Sequence, residues 1–248
     1  MDKGFTLPVL NHGFVRLIDW LGSDLRIAES ARISYQSPSK GEEADKKLIN
    51  YLYKNQHTSP FEQCKITFNI KLPLFVAGQY NRHRMQNLNY ISFRYTEAKE
   101  EFYIPRQIDW RRQDTKNKQG SLPDPLFLPM LEGGTDIKDG VYYVQTSNVV
   151  YNFCKDALTL YKKLLEVGIS REMSRMILPQ NLYTECYSTW DLHNLMHFLT
   201  LRLDPHAQWE IQEYAKAMEQ ITQELFPWTF EAYHKYYWEL KEHEEKEL

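Results

Sequence analysis

Glycine is scarce. The chain has ten among 248 residues, none spaced as GxG and none in a GxxxxGK loop, which excludes the dinucleotide-binding fingerprint and the P-loop. Cysteine is scarcer still. Cys64, Cys154 and Cys186 form no CxxC and leave one odd, which argues against a disulfide framework and for a reducing compartment, the cytoplasm. No apolar run approaches the ~20 residues of a membrane helix. The opening MDKGFTLPVLNHGFV lacks the charged start and apolar stretch of a secretory signal. There is no excess of positive charge either: 30 Lys+Arg stand against 33 Asp+Glu, a formal net charge of −3. A sequence-independent grip on nucleic acid is therefore not expected. What the chain does have is apolar mass, 42% hydrophobic and 14% aromatic, which rules out global disorder and suffices for a real core.

Local patterning predicts the elements. Asp24 is expected to cap a helix to about Ser34, with Leu25, Ala28 and Ala31 on one side. A second helix should run from Glu42 to about Asn55 on the stripe Ala44, Leu48 and Leu52, with Lys46 and Lys47 facing out. Ile66, Phe68, Ile70 and Leu72 alternate with polar residues as in a half-buried strand. Pro73 suits the first position of a helix to about Met85, ending in Arg82-His83-Arg84. A strand is expected within 88–104. Residues 107–140 carry Pro123, Pro125, Pro129 and Gly133-Gly134 and read as a long loop or insertion. Tyr142 to Glu166 predicts a long helix closed by Gly168. Ser170 begins a short helix that Pro179 stops, and Leu182 to Trp190 reads as a strand. Asp191 caps a helix with the stripe Leu192, Leu195, Met196 and Leu199. Helices over about 206–225 and 228–243 and a frayed tail, Lys241 to Leu248, finish the chain. Helices and strands mix without βαβ alternation, so the expected class is α+β, one domain over 1–248.

Four clusters could carry chemistry. In Gln79-Tyr80-Asn81-Arg82-His83-Arg84, followed by Ser92 and Arg94, the arginines could simply compensate a helix dipole. Their apolar flanks and the two-pronged fit of guanidinium to phosphate favour an anion site. Asp191, His193, His197, Arg202, His206, Gln208 and Glu210 form a second group, in which His193 and His197 share a helix face. A zinc site is the rival there, weakened by the absence of HExxH, and histidines satisfied at a helix contact are the plain alternative. His57-Thr58-Ser59-Pro60-Phe61-Glu62 reads locally as a capped turn, with Glu62 a capping-box partner of Ser59. Arg171 and Arg175 share a short helix that Met173, Met176, Ile177 and Leu178 should bury. Scattered arginines in a net-acidic chain point to small phosphorylated ligands held by side chains. The cysteines have no activating neighbour and read as packing residues.

Arg82-His83-Arg84, seven residues and then Ser92 make the RHRx7S signature, and the chain resembles the flavin-dependent thymidylate synthases. SARISY, HTSPFE, PLFVAGQYNRHR, EFYIP, SREMSRMILPQNLYT, LHNLMHFLTLRLDPHAQWEIQEYA and PWTFEAY follow in the family's order. The resemblance covers about 12–106 and 142–236. It implies an α+β fold, a mixed or antiparallel sheet flanked by helices and unrelated to the Rossmann fold. The implied activity is methylation of dUMP at C5 to dTMP, with methylenetetrahydrofolate as carbon donor and NADPH reducing bound FAD. The implied assembly is a homotetramer with active sites shared between subunits; charge, the lack of a long apolar run and the missing HExxH argue separately for no nucleic acid, membrane or metal partner.

Carried over, Ser59, Arg82, His83, Arg84, Tyr90, Asp191, His193, His197 and His206 match FAD positions. Gln79, Tyr80, Asn81, Arg82, Tyr90, Ile91, Ser92, Phe93, Arg94, Arg175 and Arg202 match dUMP positions. Arg202 matches the arginine credited with activating the uracil, and His57 the position linked to folate or nicotinamide access. Three kinds of departure stand out. Tyr90 replaces the usual Glu, Asp191 and His197 stand where Asn is usual, and Phe93 is bulkier than the common small residue. A zinc hydrolase and a relative impaired in catalysis are the competing readings.

Overall fold

The computed structural model describes residues 1–126, 130–134 and 142–236. Its centre is a five-stranded antiparallel sheet. The strands are β1 (Thr6–Val9), β2 (Gly13–Leu21), β3 (Lys65–Pro73), β4 (Gln86–Tyr90) and, late in the chain, β9 (Tyr183–Asp191). Their order is β1-β2-β3-β9-β4. The two middle strands pair along their whole length, from Lys65 opposite Asp191 to Pro73 opposite Tyr183. Two small hairpins lie outside this sheet: β5 (Arg111–Gln113) with β6 (Ser121–Pro125), and β7 (Met130–Gly134) with β8 (Tyr142–Gln145). The α+β expectation holds. Part of the expected loop over 107–140 is hairpin, and 127–129 and 135–141 lie outside the described residues.

The helices are α1 (Asp24–Arg32), α2 (Glu42–Lys54), α3 (Leu74–Tyr80), α4 (Thr146–Glu166), α5 (Arg171–Ser174), α6 (Leu192–Arg202) and α7 (Trp209–Leu225). A further helical stretch covers 227–236, and the expected continuation to 243 and the tail lie outside the described residues. Ile66, Phe68, Ile70 and Leu72 form the buried row of β3. They join Leu195, Met196, Phe198 and Leu199 of α6 and Ile211, Met218 and Ile221 of α7 in the main core. A smaller core, Phe102, Cys154, Leu158, Tyr161, Leu178 and Leu182, sits beneath α4 and α5. Gly13 opens β2 where a Cβ would meet the Tyr214 hydroxyl and the Lys71 carbonyl, so only glycine fits. Gly168 closes α4 with φ +88°, as expected. Among the described residues no helix is long and apolar enough to cross a membrane.

Several local expectations are corrected. Ser23, not Asp24, caps α1, by accepting from Arg26 N. Asp24 is buried, and Leu25 is exposed. In α2 the inward row is Asp45, Ile49 and Leu52, one residue off the expected stripe. An i, i+4, i+7 row follows the helix more closely than i, i+4, i+8. A charge is tolerated in that row because Asp45 takes Arg32 at 2.6 Å and Ser39 Oγ at 2.5 Å. Tyr142 does not open α4; residues 142–145 pair as β8, in keeping with the β-preference of Tyr-Tyr-Val.

Asp24 spans the fold. Its carboxylate accepts from Trp228 N at 2.8 Å, Thr229 N at 3.0 Å and Thr229 Oγ1 at 2.6 Å. It thus caps the 227–236 helix from 204 residues away in sequence. Asp24→Ala leaves those donors buried and unpaired and should lower stability by about 1–3 kcal/mol in urea unfolding, with Asp24→Asn losing less. A change below about 0.5 kcal/mol would contradict the capping role.

Candidate active site

The signature residues sit on a turn and not on the helix that was expected to carry them. Pro73 ends β3 and is the N-cap of α3, which stops at Tyr80 with Asn81 as C-cap. Arg82, His83 and Arg84 follow in irregular backbone before β4. A buried network explains the stop. Trp190 Nε1 donates to Tyr80 Oη at 2.8 Å, and Tyr80 Oη lies 2.7 Å from Ser188 Oγ. Ser188 Oγ donates to Gln86 Oε1 at 2.8 Å. The Gln86 amide donates to the carbonyls of Tyr80 (3.1 Å) and His83 (2.8 Å). The carbonyl bonds that a longer helix would supply are thereby met from β4. The Tyr80 side chain is fully buried by this bracing, so it underpins the turn and does not face a ligand in this protomer.

The turn docks on the end of α6. The His83 ring meets Phe198 edge-on at 4.8 Å and tilts over Trp190 at 6.3 Å. Its Nε2 accepts from Arg202 Nε at 3.0 Å. An acceptor nitrogen requires a neutral imidazole, with the proton on Nδ1. Burial first, then the Arg202 charge and then His197, push the His83 pKa down to about 4. Burial also lowers the pKa of the half-buried Arg202 guanidinium. Among the described residues no carboxylate pairs with Arg82, Arg84, Arg175 or Arg202, whereas Arg32, Arg94, Arg106, Arg111 and Arg171 all have one.

The other end of β4 holds a second constellation. The Tyr90 hydroxyl donates to Asn81 Oδ1 at 2.8 Å. Ser92 Oγ accepts from Arg94 N at 3.3 Å. Arg94 lies 3.5 Å from Glu172, and Arg171 is 3.2 Å from Glu97, so the Ser92 loop rests on α5 beside Arg175. Phe93 packs on the smaller core, and Ile91 is exposed. Met173 and Met176 do not bury α5 as expected; they are 56% and 75% exposed. The five residues of β4 span about 13 Å from Gln86 to Tyr90, and the Tyr90–Asn81 bond ties the far end back to the residue before the signature.

A third constellation lies at the start of α6. Asp191 caps that helix, accepting from Asn194 N at 2.9 Å, with Lys65 Nζ at 3.8 Å. Helix N-terminus, Asn194 amide and lysine together balance its charge. His193 and the exposed His57 line one small cleft with Thr58, Tyr53 and Met196. The expected capping box on Ser59 does not form: Thr58 Oγ1 bonds Glu62 at 3.1 Å, and Pro60 begins a short 3-10 turn. Ser59 is exposed beside it. His206 is exposed in the loop after α6, 3.0 Å from Asp204, and lines a larger cleft of about 820 Å³. Among the described residues no three His, Cys, Asp or Glu side chains gather into a metal site, so His193, His197 and His206 do not make the rival zinc centre. The cysteines are buried and free, and burial pushes Cys64 to about 11 and Cys186 to about 12, far from an activated thiolate.

Gln86, Ser188 and Trp190 were not singled out from the sequence. One signal was there: Ser188 is, with Thr184, a polar member of the inward row Thr184, Cys186, Ser188 and Trp190 of β9.

The family model described as thymidylate synthase complementing protein matches residues 16–228. A flavin-dependent thymidylate synthase of Thermus thermophilus is 44% identical over 239 residues, which cover 95% of this chain and 81% of that protein. This chain belongs to the flavin-dependent thymidylate synthase family. Another relative of that name, from Thermosipho melanesiensis, is 42% identical, covering 92% of this chain and 93% of its own length. The crystal structure of the UMP/dUMP methylase PolB from Streptomyces cacaoi bound with 5-Br dUMP aligns at TM-score 0.74 and 28% identity, over 92% of this chain and 97% of that one. In this member of the flavin-dependent thymidylate synthase family the signature turn therefore rests on Arg202 through a neutral histidine.

That neutrality has a pH consequence. The unfolded chain protonates His83 near 6.5 and the folded one only near 4. The stability it confers is complete above about pH 6.5 and is lost as pH falls from there toward 4. Histidine NMR should show His83 neutral at about pH 5 with a midpoint near 4. A midpoint near 6.5 would remove the bond to Arg202.

Proposed function

We propose that the protein methylates dUMP at C5 to give dTMP, with methylenetetrahydrofolate as carbon donor and NADPH as reductant through bound FAD. The observation that carries this reading is the half-buried Arg202 with no carboxylate partner among the described residues, held by a neutral His83. A guanidinium that gives one N–H to a neutral acceptor keeps its full charge and its other donors for a ligand. Uracil C5 is a weak nucleophile, and density drawn onto the N3/O4 edge activates it. One preorganised donor at such a charge is worth about 3–4 kcal/mol.

The residues present fit a flavin dinucleotide. Arg82 and Arg84 are exposed and unpaired among the described residues, which suits side-chain capture of phosphates where no glycine loop exists. Bound there, the flavin supplies hydride chemistry that no side chain offers. Ser59, Asp191, His193, His197 and His206 complete the FAD set, and the balanced charge of Asp191 adds no unmet negative charge beside it. Gln79, Asn81, Ile91, Ser92, Phe93, Arg94 and Arg175 serve dUMP. Tyr90 brings no carboxylate; its hydroxyl orients Asn81 instead. His57, beside His193, is the position for folate or nicotinamide access.

We read residues 1–248 as one domain that works as a cytoplasmic homotetramer. Met85, Ile91, Tyr95, Met173 and Met176 are exposed around the two ends of β4. These exposed apolar groups favour sites completed by a second subunit.

Given dUMP, methylenetetrahydrofolate, NADPH and FAD, the purified protein should form dTMP, and omission of NADPH should stop it. Arg202→Ala should cut turnover about 10²–10³-fold while flavin absorbance stays with the protein. Tyr90, in place of the carboxylate, favours one other reading, a nucleotide binder without turnover. Binding of dUMP with no dTMP under these conditions would establish it.

A further inference from the structure

The hairpin of β5 and β6 has no part in the reading above, yet its Arg111 reaches the dUMP constellation. Arg111 Nη2 donates to Glu210 Oε1 at 2.6 Å, Arg111 Nε donates to Ser121 Oγ at 3.1 Å, and the guanidinium stacks on Trp209 at 5.0 Å. Glu210 is 4% exposed. Tyr103 Oη donates to the same carboxylate oxygen at 3.1 Å, and Gln208 Nε2 donates to the other at 2.8 Å. Gln208 Oε1 in turn accepts from Gln79 Nε2. Three stretches of chain thus converge on one buried carboxylate, and the next link is a nucleotide residue.

The direction of these bonds matters. A carboxylate can only accept, so it fixes which end of the Gln208 amide faces it. The Gln208 carbonyl must then face Gln79, and the Gln79 amide nitrogen must turn toward Gln208. Its carbonyl oxygen is left as an acceptor on the ligand side, suited to a uracil N3–H or a ribose hydroxyl. Arg111 pairs with the buried carboxylate and offsets its charge.

We propose that the hairpin is a positioning element for the nucleotide, with Arg111 and Glu210 setting the polarity of Gln79 through Gln208. This rests on the assignment of Gln79 to dUMP. The test measures the dUMP dissociation constant, the dUMP KM, kcat and the melting temperature for wild type, Arg111→Ala, Arg111→Lys, Glu210→Gln and Gln79→Ala, and for the double variant Arg111→Ala with Gln79→Ala.

Arg111→Ala should raise the dUMP Kd and KM about tenfold with kcat within about twofold, and Arg111→Lys should recover most of the loss. Glu210→Gln keeps the shape but lets the chain of amides reverse. It should weaken dUMP similarly, and it carries the test if Arg111→Ala does not fold. In the Gln79→Ala background, Arg111→Ala should add nothing. A lower melting temperature with unchanged dUMP affinity, or effects of Arg111→Ala and Gln79→Ala that multiply, would overturn the proposal. A wild type that binds dUMP but forms no dTMP counts against the proposed activity alone, since the affinities still decide the positioning role. A wild type that does not bind dUMP removes both.

Discussion

The bond from Arg202 to His83 exists only while the imidazole is uncharged, and the site is built to keep it so. Phe198 and Trp190 take water from the ring, and a guanidinium 3.0 Å away opposes a second positive charge. A carboxylate in the same place would satisfy Arg202 more strongly and would also cancel its positive charge. The neutral acceptor fixes the guanidinium without spending its charge. The cost is a half-buried cation with incomplete compensation, and such arrangements concentrate where an anionic ligand supplies the missing partner.

Rigid elements set the distance between these two groups. Asp191 is both the last residue of β9 and the cap of α6, so strand and helix share a joint with no loop to absorb movement. Trp190 and Ser188 brace Tyr80 from the strand side of that joint, and Arg202 ends the helix that leaves it, about 16 Å along an eleven-residue helix. The turn carrying His83 closes the circuit through Gln86. Strain at any member is passed to the others, because each hydrogen-bonding group in the network already has its partner.

Along β4 the same economy separates tasks. One end offers unpaired guanidinium groups, and the other offers the Ser92 loop tied to α5 by Arg94 and Glu172. An edge strand with charged and apolar groups exposed at both ends is a costly surface for an isolated chain. The homotetramer proposed above would cover that surface and remove the cost.

Much of the fold was legible because it is local. The alternation in β3, the Asp191 cap, the inner row of α6 and the glycine after α4 depend on neighbours a few residues apart, and all four appear as read. The signature itself was legible as a spacing of residue types. Its geometry was not. α3 stops at Tyr80 because Trp190, Ser188 and Gln86 hold that residue, and the first two lie more than a hundred positions away. Asp24 leaves the capping of its own helix to Ser23 and serves one near the other end of the chain, and Arg111 finds Glu210 across 99 residues. The sequence by itself determined which segments become strand or helix and which chemical groups are on hand. Tertiary structure decided which of those groups meet and in what charge state, because burial and the pairing of distant polar groups are settled only when the chain has closed on itself.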